Sequence, residues 1–320
     1  MLTPLRDVFL LLIKISEKNN VPLPINQKIC YKWALDLKLP KHGKTLLYTS
    51  CYYPMVPYLN AIVNMLQKAE KSSIYRFGIK MLAKIPKLSV FTRGIIRADQ
   101  KLLNKSYEIL KNIAALLQKA GLDFAYLYGE EIFNGALLFD LGLEEAFITV
   151  GKRVIESFRK TGARKIITID PHSYHILKSV YPEYFEDFDF EVVSYLEILE
   201  DKLNSASMIL DDEFTIHDAC YYARYEGLYE EPRKLLQRAG ARIKEPKRSK
   251  LLTGCCGGPI ETTSPSMAEK IALSRLRELA EASSNIITLC PICYANFVRC
   301  NRHLDLKIYD ISEVLAKAFL

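Results

Sequence analysis

The chain contains the same short segment twice, 120 residues apart: "IITIDPHSY" at 166–174 and "IITLCPICY" at 286–294. Both copies have Ile-Ile-Thr, then a proline and a closing tyrosine. β-Branched residues favour strands, so each copy predicts a strand that ends just before the proline. The second copy has Cys290 and Cys293 where the first has Asp170 and Ser173. A repeat of this kind indicates a duplicated unit in which one copy has been altered.

Strand-like and helical patterns alternate along the whole chain. Runs rich in β-branched and apolar residues lie at 45–50, 124–129, 165–170, 191–195, 214–219, 250–254, 285–289 and 306–311. Apolar residues recur at three- and four-residue intervals between them, as over 105–121 and 266–282. This alternation predicts an α/β fold with parallel sheets. Each half has four strand-like runs, so we expect one domain over 1–200 and a second over 201–320.

The two halves can be aligned beyond the repeated segment. "YTSCYYPMVPYLN" from 48 resembles "HDACYYARYEGLYEE" from 217 around a shared Cys-Tyr-Tyr, and "YLYGEE" from 126 lies where "TGCCGG" from 253 falls. The first half also has a basic insert between its first two strands, roughly 69–107, which includes "KMLAKIPKLSVFTRG". We therefore expect the first domain to carry a helical N-terminal extension and this insert.

Composition and charge narrow the class of protein. The 320 residues are 49% hydrophobic and 25% charged, as in globular proteins of two domains. The net charge is +7, but the basic residues are spread along the chain without interleaved aromatics, so we expect no nucleic-acid partner. The apolar run 8–13 is too short for a membrane span and precedes no cleavage site. We expect a docking or buried helix there, with a peripheral membrane contact through 9–13 as the alternative, and a cytoplasmic location.

The cysteines are concentrated in the second half. Five of the eight fall within 74 residues: Cys220, Cys255, Cys256, Cys290 and Cys293. Without a secretory signal, such crowding indicates a metal centre rather than a disulfide framework. In the predicted layout these cysteines follow three strands, and ligands of open parallel sheets collect beyond the carboxyl ends of the strands. We therefore expect the five sulfurs to line one pocket.

The donor set restricts the metal. Thiolates are soft ligands, and four or more at one point favour an iron–sulfur cluster or zinc. Gly257 and Gly258 would allow the sharp turn that brings adjacent thiolates to one centre, and their N–H groups could donate to the sulfurs. Zinc ordinarily takes four protein ligands, so a fifth sulfur favours the cluster.

These spacings resemble a known family. There are 34 residues between Cys220 and Cys255 and 33 between Cys256 and Cys290. This order resembles the cysteine-rich CCG domain in the B subunit of heterodisulfide reductase, which also occurs in the C subunit of anaerobic glycerol-3-phosphate dehydrogenase. "HDACYYAR" resembles the His-Asp-Pro-Cys start of that domain, with Ala219 in place of proline. The resemblance spans nearly the whole chain and implies two tandem, pseudo-symmetric CCG-type domains, each a small parallel sheet flanked by helices.

The resemblance also implies a cofactor and its ligands. In heterodisulfide reductase an unusual non-cubane 4Fe–4S cluster is held by five cysteines in each copy. Carried over to this chain, the cluster ligands would be Cys220, Cys255, Cys256, Cys290 and Cys293. In the first copy Cys51 remains, whereas Leu127, Tyr128, Asp170 and Ser173 occupy the other positions. We therefore expect one cluster, in the second domain.

A redox role follows from this resemblance. We expect an iron–sulfur subunit that transfers electrons between a partner and a thiol, disulfide or quinone acceptor, with no catalytic residue assigned. The chain has neither a ferredoxin-type cysteine run nor a G-x-G-x-x-G fingerprint. Electrons would come from a ferredoxin-like iron–sulfur subunit or a flavoprotein, docked on the insert through Lys80, Lys84 and Lys87, with membrane association through partners. The alternative is a structural subunit stapled by zinc.

The remaining cysteines have several interpretations. Cys51 would be a small buried residue left from a lost site, a redox-active thiol, or a group that approaches the cluster from the other half. Cys30 and Cys300 are expected to be core cysteines.

Several polar residues near the cysteines also have more than one interpretation. His217 would tune the cluster through a hydrogen bond, shuttle a proton, or be a satisfied strand-end histidine. Asp170, His172 and His175, completed by Cys51, form a candidate zinc set in the first half. In addition, Arg224 and Lys250 could offset the charge of a cluster.

Overall fold

Two parallel four-stranded sheets form the framework of this computed structural model, which describes residues 5–72, 74, 77, 98–302 and 304–320. The first sheet has the order β2-β1-β3-β4, with β1 Thr45–Tyr48, β2 Ala125–Tyr126, β3 Lys165–Thr168 and β4 Glu191–Ser194. The second has the same order, β6-β5-β7-β8, with β5 Glu213–His217, β6 Arg242–Ile243, β7 Asn285–Thr288 and β8 Lys307–Asp310. The α/β prediction and the duplication are confirmed.

Helices flank the first sheet. They are α1 Leu5–Lys18, α2 Lys28–Tyr31, α3 Tyr52–Lys71, α4 Gln100–Lys119, α5 Ala136–Asp140, α6 Glu144–Thr161, α7 Pro171–His175, α8 Tyr181–Tyr184 and α9 Tyr195–Lys202. A 3₁₀ turn at Lys32–Leu37 follows α2, another at Tyr128–Glu130 follows β2, and a π-helical turn at Ile176–Val180 joins α7 to α8.

The second sheet has fewer flanking helices in the described part of the chain. They are α10 Glu230–Arg238, α11 Pro265–Ala280, α12 Pro291–Cys300 and α13 Ile311–Phe319. Shorter turns lie at Tyr221–Tyr225 (π-helical) and at Lys250–Leu252 and Gly258–Ile260 (both 3₁₀). Strands β3 and β7, which carry the repeated segment, are buried over their last three residues and lie in the interior of their sheets.

The predicted strand at 250–254 is wrong. The second strand of that half is β6, Arg242–Ile243, and the apolar Leu251 and Leu252 lie in an exposed 3₁₀ turn. The backbone cannot continue as a strand because Lys250 has a positive φ of 52° and gives its N–H to the carboxylate of Asp218. A long loop therefore separates β6 from the vicinal cysteines.

The repeated segment is a strand followed by the first turn of a helix. Asp170 and Cys290 both have extended backbones at the N-cap, and Pro171 and Pro291 begin the helices, where proline lacks no needed N–H. In the first half the Asp170 carboxylate accepts the Ser173 N–H at 2.9 Å and so caps α7. Cys290 makes no such side-chain cap, so its sulfur is left for other partners.

One tyrosine of each half forms a hydrogen bond with a residue of the other half. Tyr53 donates its hydroxyl to the Asp310 carboxylate at 2.6 Å, at the cap that follows β8. Tyr222, the equivalent tyrosine of the second half, accepts from the Ser194 hydroxyl at 3.0 Å, at the cap that follows β4. Each Cys-Tyr-Tyr segment thus reaches the last helix cap of the other half. These two contacts are equivalent in the two halves, as expected of pseudo-symmetric domains.

The N-terminal helix docks on the first half. Helix α1 packs on α6, where Arg153 donates to the Ser16 and Glu17 carbonyls at 3.1 Å each, and Leu12 is buried. No helix in the described ranges is long and apolar enough to cross a membrane. Most of the basic insert, including Lys80, Lys84 and Lys87, lies outside the described residues.

Tyr53 and Tyr222 should stabilise the protein unequally. Tyr53→Phe leaves a buried carboxylate oxygen without its donor and should lower the free energy of unfolding by about 2 kcal/mol. Tyr222→Phe removes a bond between two hydroxyls and should cost about 1 kcal/mol. Urea unfolding of both variants measures the difference. Tyr107→Phe is the control, because the Tyr107 hydroxyl is buried without a hydrogen-bond partner in the described chain, and it should cost nothing. Equal losses for Tyr53→Phe and Tyr222→Phe would contradict the expectation.

Candidate metal centre

One cavity between the halves, of about 470 Å³, is lined by all five clustered cysteines. They are Cys220, Cys255, Cys256, Cys290 and Cys293. The first half contributes Asp140, Pro171, His172 and His175 to the lining of the same cavity. Cys256, Cys290 and Cys293 are buried, Cys220 is half-buried and Cys255 is exposed. The expected pocket of five sulfurs is therefore formed, with one edge open to solvent.

The repeated segment positions two of these sulfurs. Cys290 lies at the N-cap of α12, and Cys293 lies in its first turn, three residues later. The partial positive charge at a helix N-terminus stabilises negative charge on both sulfurs. The chain therefore provides a favourable place for thiolates at the point where β7 ends.

A glycine turn positions the vicinal pair. Gly257 has a φ of 87°, and a Cβ atom there would lie 2.5 Å from the Ala268 carbonyl oxygen. The Gly257 N–H donates to Cys255 Sγ at 3.3 Å, and the Gly258 N–H donates to Cys256 Sγ at 3.4 Å. The N–H donors expected from the sequence are present, and they stabilise negative sulfur.

The buried carboxylate of Asp218 holds the loop that leads to this pair. It accepts the Lys250 N–H at 2.7 Å and two bonds from the Arg233 guanidinium at 2.7 and 2.9 Å. The Asp218 carbonyl accepts the Thr253 hydroxyl at 2.9 Å. Because Cys220 follows two residues later, Asp218 fixes the spacing between Cys220 and the vicinal pair.

The two cations expected to compensate charge differ in position. Arg224 lines the cavity and donates to the Thr253 carbonyl. Lys250 does not line it, and its ammonium pairs with Glu230 at 2.6 Å instead. Arg224 can therefore compensate negative charge in the cavity, whereas Lys250 forms an ion pair in the loop outside it.

His217 contacts the sulfurs directly. Its Nδ1 atom accepts from Arg275 Nε at 3.3 Å, so the ring proton resides on Nε2, which lies 3.3 Å from Cys293 Sγ and donates to it. His217, Cys256 and Cys293 form the one group of three in the described chain whose metal-binding atoms lie within 4.8 Å of one another. The hydrogen-bonding role expected for His217 is present. Arg275, which sets the tautomer, was missed because nothing in its helical sequence marks it.

The thiols share protons unequally. Hydrogen bonds from Cys255 and Cys293, with a further contribution from His217, hold the pKa of Cys256 well below its ordinary value. Hydrogen bonding to the Cys256 sulfur raises the pKa of Cys255 and of Cys293. Burial, first, and the nearby Cys256 raise the pKa of Cys220 to about 12. A metal bound by all five sulfurs must therefore displace protons.

The first half supplies an imidazole to this centre. Burial alone would lower the pKa of His172, but the Cys290 thiolate beside it outweighs burial and raises this pKa to about 9. In return, although burial opposes it, the hydrogen bond from Cys293 and the charge of His172 lower the pKa of Cys290. His172 thus faces the sulfurs of the second half.

The zinc set expected in the first half is not formed. Asp170 caps α7 through one oxygen, its other oxygen has no partner in the described chain, and burial raises its pKa to about 6. His175 Nδ1 lies 2.6 Å from Glu226 Oε1, and Cys51 is bonded to Cys30. Each of these side chains has a different partner, so the four donors do not converge.

Cys30 and Cys51 form a disulfide, which corrects the expectation that both are free. Both residues are buried in the core of the first half, and neither lines the cavity. Cys300 is a buried free thiol, as expected. The shared Cys-Tyr-Tyr sequence could not reveal the disulfide because Cys30 has no counterpart in the second half.

An apolar pocket of about 70 Å³ adjoins the cavity. The two share Asp140, His172, Pro259 and Ile292. The remainder of the pocket is mainly apolar and aromatic, with Leu23, Tyr52, Met55, Leu59, Phe133 and Leu137. An apolar group bound there would lie next to the cysteine cavity.

Comparison with known families gives two matches within the chain. The family model described as the cysteine-rich domain CCG matches residues 99–178 and 214–298, which together make up just over half of the chain. The second matched segment contains all five cavity cysteines.

Similar proteins include several redox proteins. The chain is 31% identical over 229 residues to "Probable iron-sulfur-binding oxidoreductase FadF" of Bacillus subtilis, covering 68% of this chain and 32% of that protein. It is 33% identical over 226 residues to "EtfAB:quinone oxidoreductase" of Syntrophomonas wolfei, covering 64% of this chain and 31% of that protein. It is 27% identical over 217 residues to the D subunit of the dihydromethanophenazine:CoB–CoM heterodisulfide reductase of Methanosarcina acetivorans. The match covers 63% of this chain and 53% of that subunit. The chain thus spans a third to a half of the length of these relatives.

The glycine turn should be essential for metal binding. Gly257→Ala would drive a Cβ into the Ala268 carbonyl and displace the vicinal sulfurs, so the purified variant should lose most of its bound metal. The matched control is Gly162→Ala, since Gly162 has a φ of 77° but open space around it. That control should lose about 1 to 2 kcal/mol of stability and keep its metal. The metal content of both purified variants is measured. Full metal content in Gly257→Ala would show that the glycine turn is not needed for metal binding.

The disulfide should stabilise the fold and leave the centre unaffected. It closes a sequence separation of 21 residues, so oxidation should stabilise the wild type by about 3 kcal/mol, whereas the stability of the Cys30→Ala/Cys51→Ala variant should be the same with and without reductant. Cys300→Ala, a buried free thiol, is the control and should lose about 1 kcal/mol in either condition. Unfolding curves with and without reductant measure this. Loss of bound metal in the double variant would instead make Cys51 part of the centre.

Proposed function

The chain belongs to the cysteine-rich CCG domain family, and we propose that it is an iron–sulfur redox subunit with one 4Fe–4S cluster in its second half. It would transfer electrons between a partner redox subunit and a thiol, disulfide or quinone acceptor. The single observation that carries this proposal is the convergence of five cysteine sulfurs on one cavity.

The donor set suits such a cluster. Thiolate ligands select iron–sulfur clusters, and N–H groups directed at the sulfurs tune their reduction potentials. Cys220, Cys255, Cys256, Cys290 and Cys293 would hold the cluster, and when bound it would accept and release single electrons. Around it, the Gly257 and Gly258 N–H groups, His217 and Arg224 would offset the negative charge.

A partner redox subunit is part of the proposal. The chain spans only part of its relatives and has no ferredoxin-type cysteine run, so the electron donor would be a ferredoxin-like iron–sulfur protein or a flavoprotein. The exposed Cys255 would mark the side on which electrons enter. In this proposal the partner docks through Lys80, Lys84 and Lys87, and the boundary between the two domains lies near residue 200. The protein would be cytoplasmic and would associate with the membrane through its partners.

The acceptor would bind in the cavity beside the sulfurs. Two of the relatives are named for a quinone and for a heterodisulfide. The apolar pocket next to the cavity would take an apolar part of an acceptor, while its reacting group faces His172 and the sulfurs. The first half has Leu127, Tyr128, Asp170 and Ser173 at the positions of four of these cysteines, so we infer one metal site and a reaction at a single centre.

The second candidate is a structural zinc subunit of a redox complex. It is favoured by His217, Cys256 and Cys293, whose donor atoms lie within 4.8 Å of one another and which together offer a nitrogen and two sulfurs. Zinc completes four protein ligands in structural sites, so one more cysteine would suffice and the others would be unused. Five sulfurs on one cavity favour the cluster.

Anaerobic purification followed by absorption and EPR spectroscopy tests the proposal. The protein should be brown, with about four irons and four sulfides per chain. Cys255→Ser and Cys290→Ser should bleach it, whereas Cys300→Ser should not, because Cys300 is buried outside the cavity. A colourless protein with one zinc per chain would refute the redox function and support the structural one.

A further inference from the structure

An acidic and a basic side chain from opposite halves meet at the wall of the cysteine cavity. His175, at the end of α7, lines the cavity, and its Nδ1 atom lies 2.6 Å from Oε1 of Glu226, just after the turn that follows Cys220. The two side chains are only 11% and 5% exposed. This pair is outside the set of sulfur donors and has no part in the function described so far.

The surroundings of Glu226 keep it ionised. Although burial opposes it, hydrogen bonds from His175 and Ser179, together with the charge of Lys178, lower the pKa of Glu226. Ser179 donates to the same oxygen at 2.6 Å, and the Lys178 ammonium lies 3.9 Å from the other. A carboxylate held in this way orients the imidazole, because it accepts the proton on Nδ1.

The other ring nitrogen is left for the cavity. No hydrogen bond to Nε2 of His175 is made within the described chain. Tyr221 stacks on the ring at 4.7 Å, Tyr225 lies 4.9 Å away, and both line the cavity. Tyr225 is 64% exposed, so protons can reach this side from solvent. The ring is therefore fixed by its faces and by Nδ1, while Nε2 is available to a bound molecule.

The internal repeat singles out the same position. His175 corresponds to Ala295 in the second copy, and His172 corresponds to Ile292. The first half therefore has imidazoles at two positions where the second half, with its five clustered cysteines, has apolar side chains. Both imidazoles line the cavity, and His175 is the one whose Nδ1 atom is paired with a carboxylate.

We propose that His175 is the proton donor of the acceptor reaction and that Glu226 positions it, with a disulfide as the acceptor. This inference rests on the proposed redox function. Two electrons from the partner redox subunit and two protons convert R–S–S–R′ into RSH and R′SH, and the S–S bond breaks. His175 gives one proton from Nε2 to the leaving thiolate and is reprotonated from solvent, which also supplies the second proton. General acid catalysis by a positioned histidine typically contributes about 10²- to 10⁴-fold.

The kinetic test uses the full chain with its cluster, reduced methyl viologen as donor and hydroxyethyl disulfide as the probe. His175→Gln should lower the rate of disulfide reduction about 100-fold, with partial recovery on adding imidazole. Glu226→Gln should lower it about 10-fold, as expected when only the orientation of the donor is lost. Tyr107→Phe is the control, because the Tyr107 hydroxyl has no hydrogen-bond partner in the described chain and does not line the cavity, and its rate should be unchanged.

A binding measurement separates proton transfer from a structural role. When 2-mercaptoethanol binds as thiolate, the wild type should retain the released proton on His175, whereas His175→Gln should release about one proton to the buffer. Calorimetry in buffers of different ionisation enthalpy counts these protons. Iron content and EPR spectra should be the same in the wild type and in all three variants.

The outcomes distinguish this inference from the function on which it rests. Wild-type rates and proton release in a fully loaded His175→Gln would overturn the dyad and leave the redox function standing. If His175→Gln loses its cluster, Glu226→Gln carries the test, and a wild-type rate there overturns the dyad too. If the loaded wild type neither reduces the disulfide nor binds the thiol, the disulfide acceptor fails, and the dyad fails with it.

Discussion

The cysteine cavity depends on one buried carboxylate. Three elements bring sulfurs to the cavity, but the loop before the vicinal cysteines has no strand beside it, because β6 ends at Ile243. Asp218 replaces that support. Its carboxylate binds Arg233 and the Lys250 N–H, and its carbonyl binds Thr253. The Arg233–Asp218 pair is 4% and 0% exposed, and breaking such a buried pair costs about 3 to 5 kcal/mol. The same interaction therefore stabilises the second domain and sets the distance from Cys220 to Cys255.

The repeat has a helix-capping carboxylate in one half at the position where the other half has a cysteine. In both halves a buried strand ends at a residue with extended backbone, and proline begins a helix. The helix needs an acceptor for its first N–H groups. Asp170 provides one, so the first half closes this turn without a metal, whereas Cys290 leaves its sulfur to the cavity. The first half keeps the frame of the segment because the strand and the cap still hold its sheet together.

The sequence predicted the features that local pattern controls. β-Branched runs gave seven of the eight strands, and cysteine spacing gave the cavity, because strand ends of a parallel sheet meet at one edge. The predictions from sequence were wrong or incomplete where tertiary contacts, rather than local sequence pattern, determine the structure. Leu251 and Leu252 read as a strand, but the Lys250 backbone is held in a turn by Asp218. The disulfide, the Arg275–His217 contact and the pairing of His175 with Glu226 join residues between 21 and 58 positions apart with no repeating pattern.

The residues that the first half has in place of four of the clustered cysteines also affect what the cavity can do. Two metal-binding halves would surround it with thiolate sulfur, which carries no proton when it is bound to a metal. In this chain the second half supplies the sulfurs that line the cavity, and the first half supplies His172 and His175. Reducing a disulfide or a quinone requires protons as well as electrons, so a centre with sulfur on all sides would depend on solvent for every proton. Under the proposed division of tasks, the second half would hold the metal and the altered copy would supply protons to the same cavity.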